Sequence, residues 1–307
     1  MSNPLLFQGE NSLRKKHDYF EGWYFKVTNG DFNISFIPGI NIQNGIKKAF
    51  IQVITNDKSY FIDYDIDDFK FCHSPFYILV GNNYFSLDKI IIDIDKEIAI
   101  KGILNFSNSI NIKTNNFSPN IMGPFSYFPM ECSHAIISMK NSVNGMFKID
   151  GDEINFKDGI VYIEKDWGYS FPQSYIWVQG SSFKNKKASF MCSVARVPFL
   201  LFSFRGVICV IIVDGVEYKF TTYNHTKIIK YDVTDSSFKI ILKKRNYTLE
   251  ICSFFDNGHL LIAPVKGGMS KNILESISSK VSVTLREKNK VIFSDTSINS
   301  GLEIVNE

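Results

Sequence analysis

Apolar and polar residues alternate with a period of two along most of this chain, which is the pattern of strands with one buried face. Tight-turn pairs such as Asn29-Gly30, Asp150-Gly151 and Asp214-Gly215 separate the alternating segments. Asn-Gly and Asp-Gly adopt the positive φ angles that two-residue hairpins need. The spacing predicts about twenty short strands, as in sandwiches and barrels.

Helical periodicity is nearly absent from the sequence. The best helical candidate is Asn272–Ser279, where Ile273, Leu274 and Ile277 would share one face. The 28 Phe and 14 Tyr residues favour strands instead. We therefore predict an all-β protein with well under about 15% helix, against the usual ~30–35%.

Composition and charge exclude several classes of protein. The chain has 307 residues, 45% of them hydrophobic, so it can bury a sizeable core and is not generally disordered. Its net charge of +3 argues against a nucleic-acid partner, which a basic face would normally attract. The cysteine count is odd and includes no CxxC pair, which favours a reducing, cytoplasmic location over a disulfide framework.

Membrane and export signals are not expected either. The purest apolar run, Val207–Val213, is much shorter than the ~20 residues of a transmembrane helix. The segment Met1–Glu10 lacks a basic stretch followed by a long apolar one, so no signal peptide is predicted.

Two irregular, proline-containing stretches interrupt the strand pattern, Asn115–Pro129 and Trp167–Gln173. Proline is excluded from central strand positions, so both are predicted to be loops. At ~150 residues per domain the length suggests two domains. We place the boundary in the second stretch, with one β domain over residues 1–170 and another over residues 171–307.

An acidic residue lies on an apolar strand face near the start of the chain. In a strand, Glu21 shares its face with Trp23 and Phe25. Burial against aromatic rings raises the pKa of a carboxyl, which would make Glu21 a proton donor. The alternative is a structural ion pair between Glu21 and a buried base.

A second candidate pair, Cys132 and His134, also shares a strand face. A Cys–His nucleophile is conceivable, but same-face neighbours lie ~6.5–7 Å apart, which is poor for direct proton transfer. Packing of Cys132 and hydrogen bonding of His134 is the favoured interpretation. The five histidines show no metal-ligand spacing and the chain has no phosphate-binding loop, so we expect no metal and no cofactor.

The densest group of polar and aromatic residues lies in Val161–Gly180. Two strand faces and the loop between them carry, in order, Tyr162, Glu164 and Asp166, then Trp167, Tyr169 and Phe171, then Tyr175, Trp177 and Gln179. This combination suits an apolar pocket with a few placed polar groups. The alternative is a solvated strand end.

An apolar stretch that begins at Pro198 lies between Arg196 and Arg205. It could form a lid or touch a membrane surface, or it could be a buried crossing between strands.

Four segments carry a resemblance to a known family: Tyr19–Val27 (YFEGWYFKV), Met122–Met139, Ile163–Gly180 and the region from Leu261 to Ser276. Through them the chain resembles the tocopherol cyclase family, especially its bacterial members. The resemblance implies two lipocalin-like, calycin-type antiparallel β-barrel or sandwich domains, related to carotenoid hydratases.

The family's plant enzymes close the chromanol ring of vitamin E by protonating an alkene and capturing the cation with a phenolic oxygen. Such chemistry needs an acid, aromatic faces and the exclusion of water. The resemblance therefore implies a hydrophobic isoprenoid or lipid-like substrate. We infer the catalytic candidates Glu164, Asp166 and Glu21. The binding candidates are Trp23, Tyr24, Trp167, Tyr169, Phe171, Trp177, Gln179 and His134.

Asp166 departs from the family pattern, where asparagine is expected, and adds a carboxylate. Two nearby carboxylates disfavour double ionisation, so Glu164 is predicted to hold a proton towards neutral pH. Lys165 points to the other face. We also expect Trp23 and Trp177 to face one cavity. The rival function is a carrier or sensor that binds a hydrophobic ligand without chemistry.

Overall fold

The computed structural model describes residues 6–185, 187–199, 202–254 and 258–306. These contain one α-helix, α1 (Glu10–Lys15), and short 3-10 helices at Ile66–Asp68, Gly123–Tyr127 and Thr222–Asn224. The strands are β1 (Tyr19–Asn29), β2 (Phe32–Gln43), β3 (Ile46–Thr55), β4 (Ser59–Asp65), β5 (Phe69–His73), β6 (Phe76–Val80), β7 (Asn83–Ser86), β8 (Lys89–Asp95), β9 (Ala99–Ile110), β10 (Cys132–Ile149), β11 (Asp152–Asn155), β12 (Gly159–Gly168), β13 (Tyr175–Gly180), β14 (Ser189–Phe199), β15 (Phe202–Val213), β16 (Val216–Thr221), β17 (Lys227–Val233), β18 (Ser237–Lys244), β19 (Tyr247–Phe254), β20 (His259–Val265), β21 (Gly268–Glu287) and β22 (Lys290–Val305).

The two edge strands of the first sheet follow one another directly in the chain. The strand order of this sheet is β4-β3-β2-β1-β12-β10-β9-β8-β7-β6-β5, with β11 paired to β10. The edge strands β4 and β5 are joined by the three residues Ile66–Asp68. Because a residue spans at most ~3.8 Å, the end of β4 must lie near the start of β5. The Gly81 amide donates to the Asp68 carbonyl at 3.1 Å, which continues the pairing of β5 with β6.

In the second sheet the two edge strands, β16 and β17, also follow one another in the chain. The strand order of this sheet is β16-β15-β14-β13-β22-β21-β19-β18-β17, with β20 paired to β21. In each sheet the strand that comes first along the chain pairs with the strand that comes last, β1 with β12 and β13 with β22. Both pairings are antiparallel. The predicted all-β fold with two lipocalin-like antiparallel domains is confirmed, with 71% of the structure in strands and 5% helical.

The chain divides into two compact units. One comprises residues up to Ile112, Met130–Phe171 and Leu261–Asn272, and the other comprises Lys113–Pro129, Pro172–Leu260 and residues from Ile273 onward. The domain limits predicted from the sequence, residues 1–170 and 171–307, stay a prediction.

Each unit has its own core on one face of its sheet. In the first, Trp23, Phe25 and Val27 project from β1 into a cluster of buried apolar side chains. In the second, Ile176 and Val178 project from β13 into another. The period of two therefore decides which side chains are core and which lie on the opposite face.

The segment with the best helical spacing, Asn272–Ser279, lies within strand β21, so a helix there is wrong. Ile273, Glu275 and Ile277 are buried, whereas Leu274 is 46% exposed. Burial alternates from Asn272 to Glu275, and Ser276 is buried as well, just before the pairing with β22 shifts register. The pairing with β22 supplies the backbone hydrogen bonds of this segment.

The stretch Asn115–Pro129 is irregular, as predicted, with a single 3-10 helix. The apolar stretch after Pro198 connects β14 to β15. Residues 200 and 201 and the side chains of Phe199 and Phe202 lie outside the described residues, so the lid or membrane contact stays a prediction. No helix in the described part of the chain has the length and hydropathy to span a bilayer.

Two strands approach so closely that one position requires glycine. Gly145 in β10 has a φ of 148°, and a Cβ there would lie 2.1 Å from the Ile103 carbonyl oxygen of β9. We expect Gly145→Ala to lower the free energy of unfolding by about 1–3 kcal/mol, measured by urea denaturation. Gly22→Ala is the control, since its Cβ would make only ordinary contacts. Equal stability of the two variants would contradict the close approach.

Candidate active site

Three adjacent strands of the first sheet place polar side chains on the face opposite its core. Strand β12 pairs with β1 on one side and with β10 on the other. Tyr24 lies opposite Glu164, and His134 lies opposite Asp166. Because side chains alternate along a strand, all four occupy the face that Trp23 does not.

His134 lies between the two carboxylates. Its Nδ1 is 2.9 Å from Asp166 Oδ1, and its Nε2 is 3.5 Å from Glu164 Oε2. Glu164 is 4% exposed and His134 is 8% exposed. A buried imidazole between two acids is an arrangement that holds and moves protons.

Tyrosines surround this group. The Tyr162 hydroxyl donates to Glu164 Oε2 at 2.5 Å. Burial and the adjacent Glu164 charge raise the pKa of Tyr162 well above its usual value. Ser35 Oγ donates to the Tyr24 hydroxyl at 3.2 Å, and the Tyr24 ring meets that of Tyr162 edge-on. The hydroxyl of Tyr162 therefore stays protonated as a donor to Glu164.

Cys132 is a neighbour rather than a nucleophile. Its Sγ lies 3.8 Å from Asp166 Oδ1. Burial, followed by the charge of Asp166, raises the pKa of Cys132 well above that of an ordinary thiol. The thiolate that nucleophilic attack requires is thus disfavoured.

His134 is a cation at neutral pH. Burial alone lowers the pKa of His134, but the charges of Asp166 and Glu164 outweigh it and raise that pKa from 6.5 to about 9. An imidazolium that donates to Asp166 through Nδ1 also holds its Nε2 at 3.5 Å from Glu164 Oε2, within ion-pair distance.

This raised pKa predicts a pH dependence of stability. A group with a higher pKa in the folded state stabilises the protein fully below its unfolded pKa of 6.5, and this contribution is lost as the pH rises through about 9. We expect the free energy of unfolding to fall as the pH rises from 6.5 to about 9, and we expect His134→Gln to lack the contribution of His134 to this fall. Urea denaturation at several pH values measures the free energy of unfolding, and an NMR titration measures the pKa of the imidazole. An imidazole that titrates near pH 6.5 would contradict the cluster.

Glu21 lies on the other face of the sheet, among core side chains. Lys165 Nζ is 2.6 Å from Glu21 Oε1, and both side chains are fully buried. Lys165 also lies over the rings of Trp23 and Trp167, at 5.0 and 4.6 Å from their centroids. The structure therefore separates Glu21, Trp23 and Trp167 from Glu164, and it provides the buried base that the structural alternative for Glu21 required.

The remaining sequence-predicted residues are spread over both units. Tyr169 is 41% exposed, and Phe171 packs edge-on against Phe20. Trp177 and Gln179 are buried on strand β13 of the second unit, on the face opposite its core. The structure thus brings together His134, Glu164, Asp166 and Tyr24 from the predicted set.

Sequence reasoning missed two buried acids, Glu275 and Glu303. An available signal was the alternation of Glu275 with Ile273 and Ile277, which places an acid on a buried strand face. It was masked by the helical spacing of the same segment.

His134, Glu164 and Asp166 could also reach one metal ion, since each offers a ligand atom and these atoms lie within 4.8 Å of one another. No ligand spacing predicts this grouping, because the residues come from two strands. Their hydrogen bonds to one another and to Tyr162 are those of an acid–base group.

Several solved structures share the fold. CghA with Sch210972 has a TM-score of 0.58 at 11% identity, covering 94% of this chain and 89% of that one. A putative AttH from Nitrosomonas europaea has a TM-score of 0.54 at 10% identity, covering 98% and 97%. Kievitone hydratase from Nectria haematococca has a TM-score of 0.53 at 9% identity, covering 99% and 94%. At these identities the likeness shows the fold.

No curated protein is matched significantly by the sequence. The profile of the tocopherol cyclase-like family matches residues 94–305, from strand β8 to the end of β22. This match covers more than half of the chain and includes His134, Glu164 and Asp166. The protein therefore belongs to the tocopherol cyclase-like family.

Proposed function

We propose that this protein catalyses an acid-assisted ring closure on a hydrophobic, isoprenoid-type substrate that carries a hydroxyl group. The observation that carries the proposal is the buried His134 between Asp166 and Glu164. Membership of the family supports a catalytic role in general, and a hydratase among proteins of the same fold agrees with chemistry that adds a hydroxyl oxygen across an alkene.

Glu164 delivers the proton in this mechanism, after the His134 imidazolium has protonated its carboxylate. The alkene π electrons take the proton from Glu164, and the resulting cation is captured by a lone pair of the substrate hydroxyl oxygen. The hydroxyl proton then returns to the acid–base group, so substrate and product have the same composition. His134, 3.5 Å away, supplies the proton that Glu164 carries into each turnover.

The neighbouring side chains hold this donor and stabilise the cation. Asp166 is a positioning residue, since it accepts from His134 Nδ1 and so fixes the ring whose Nε2 lies 3.5 Å from Glu164 Oε2. The Tyr24 ring, opposite Glu164, offers an aromatic face to a developing positive charge. Burial of the group excludes the water that would otherwise capture the cation.

The direct test is incubation of the purified protein with a prenylated hydroquinone, followed by chromatography and mass spectrometry. We expect a ring-closed product of unchanged mass that does not form with heat-denatured protein. Native mass spectrometry on the same sample reports whether the compound binds. Binding without turnover across a series of prenylated phenols would overturn the proposal and favour the carrier function.

The proposed location is cytoplasmic. All five cysteines are free, which agrees with a reducing compartment. Cell fractionation measures the location. Recovery of the protein from an oxidising compartment would contradict the proposal.

A further inference from the structure

A loop of the second unit, Lys113–Pro129, presents three large aromatic side chains to solvent. Phe117 is 82% exposed, and Tyr127 and Phe128 are exposed as well. Single apolar residues on a surface need no explanation, but a group of them on one loop marks a surface that binds a partner or a membrane. We call this segment the aromatic loop.

Hydrogen bonds fix the backbone of the aromatic loop. The Tyr223 hydroxyl, from the 3-10 helix between β16 and β17, donates to the Ile121 carbonyl at 3.1 Å. The Tyr127 hydroxyl donates to the Asn116 carbonyl, which places the Tyr127 ring beside the residue that precedes Phe117. The exposed aromatic side chains are therefore held next to one another at the end of the second sheet where β16 ends and β17 begins.

Basic side chains gather at the same end of this sheet. Lys219 Nζ donates to the Lys113 carbonyl at 2.5 Å, and Lys244 Nζ donates to the Lys219 carbonyl at 2.9 Å. Lys227 at the start of β17 lies directly opposite Lys243 near the end of β18, and both side chains are exposed. With the next residue of the hairpin they form what we call the basic group, which consists of Lys113, Lys219, Lys227, Lys243, Lys244 and Arg245.

The charges of the basic group repel one another. Like charges at directly opposite positions of a sheet, as on β17 and β18, destabilise it. The pKa of Lys244 is lowered, first by burial and then by the charges of Arg245 and Lys219. The acid Glu217 pairs with Lys219 Nζ at 3.2 Å and so compensates that lysine. A negatively charged partner would relieve the repulsion among the other members.

We propose that the aromatic loop and the basic group bind the surface of an anionic lipid bilayer. Aromatic side chains are favoured at the level of the lipid headgroups, and lysine and arginine are attracted to negatively charged headgroups. An isoprenoid-type substrate dissolves in such a bilayer. The surface would therefore bring the protein to the membrane that holds its substrate, a role that rests on the proposed function.

A single-stranded nucleic acid is the competing partner, since it also combines negative charge with groups that stack on aromatic rings. The arrangement favours a bilayer, because the exposed aromatic side chains lie together on the loop, whereas most of the basic side chains lie on the strands behind it. Apolar groups can then enter the lipid while the charges stay at the headgroups. Membrane binding requires no turnover, so its outcome is separate from that of the reaction proposed for Glu164.

The experiment is a flotation assay of the intact protein with two kinds of vesicle. One kind is phosphatidylcholine alone, and the other contains phosphatidylcholine and phosphatidylglycerol in equal amounts. We expect at least about tenfold tighter binding to the vesicles that contain phosphatidylglycerol. Phe117→Ser should weaken this binding about tenfold or more, because it removes a buried apolar side chain from the complex. Lys243→Gln should weaken it about fivefold, the usual effect of one charge near an anionic surface.

Matched controls lie at the other end of the same sheet. Strand β19 runs from Tyr247, which pairs with Lys244, to Phe254, which is 81% exposed. The exposed Lys280 lies near that far end, since Ser253 Oγ donates to its carbonyl at 2.7 Å. Phe254→Ser and Lys280→Gln remove the same types of side chain as the test variants and should bind vesicles as the parent does.

Four results would each overturn the proposal. These are equal binding of the two kinds of vesicle, no vesicle binding by the parent, parent-like binding by Phe117→Ser and Lys243→Gln, and capture of a single-stranded oligonucleotide in place of vesicles. Circular dichroism verifies that the variants fold. If Phe117→Ser does not fold, Phe128→Ser decides the question, because Phe128 is an exposed aromatic residue of the same loop.

Discussion

Glu164→Gln is expected to lower turnover by at least about 10²-fold, the usual scale for the loss of a general acid. Glutamine keeps the shape of the side chain, and its amide oxygen still accepts from the Tyr162 hydroxyl, but it delivers no proton to the alkene. The loss should therefore appear in kcat, with ligand binding by native mass spectrometry retained.

Glu153→Gln is the matched control, since Glu153 is an exposed acid of the same unit. It should keep the parent rate. Asp166→Asn should lower the pKa of His134 in an NMR titration as well as the rate, because it removes the charge that raises this pKa. Parent-like turnover in Glu164→Gln would remove that residue from the mechanism.

Lys165→Met is expected to lower the free energy of unfolding by about 3–5 kcal/mol, because it leaves the buried Glu21 carboxylate without its ion partner. Lys165 Nζ also donates to the Leu6 carbonyl at 2.6 Å, and Gln8 N donates to the Glu21 carboxylate at 3.0 Å. Loss of the ion pair should therefore also loosen the segment Leu6–Gln8.

Urea denaturation measures the free energy of unfolding of Lys165→Met, and two further variants serve as comparisons. Replacing both partners, Glu21→Gln with Lys165→Met, should recover part of the loss, since no unpaired charge then remains. Lys48→Met removes an exposed pair with Asp63, 3.5 Å apart, and should cost only about 0–1 kcal/mol. A cost for Lys165→Met as small as that of Lys48→Met would show that the buried pair contributes little.

Much of the fold follows from local alternation. In a strand the direction of each side chain is set by the backbone of that strand alone, so the sequence predicted correctly that Trp23 and Phe25 share a face with Glu21. The same rule placed Glu164 and Asp166 together on β12, with Lys165 on the opposite face.

The segment Asn272–Ser279 marks the limit of such reasoning. Its apolar residues Ile273, Leu274 and Ile277 fit a short helical face about as well as a strand. The ambiguity was resolved only by the neighbouring strand β22, whose backbone groups pair with those of β21. Backbone pairing across a sheet is a non-local interaction, and local spacing contains no information about it.

Local spacing alone determined which side chains share a face, but only the tertiary structure decided which strands are neighbours. Strand β12 lies between β1 and β10, which places His134 against Asp166, 32 residues away in sequence, and Lys165 against Glu21. Glu164 and Glu21 are both acids on strand faces with aromatic residues, and the sequence offered both as proton donors. In the structure they have different partners, the His134 imidazolium for Glu164 and the buried Lys165 ammonium for Glu21. The physical reason is that charges act through space, and strand order, set by packing of the whole sheet, decides which charges meet.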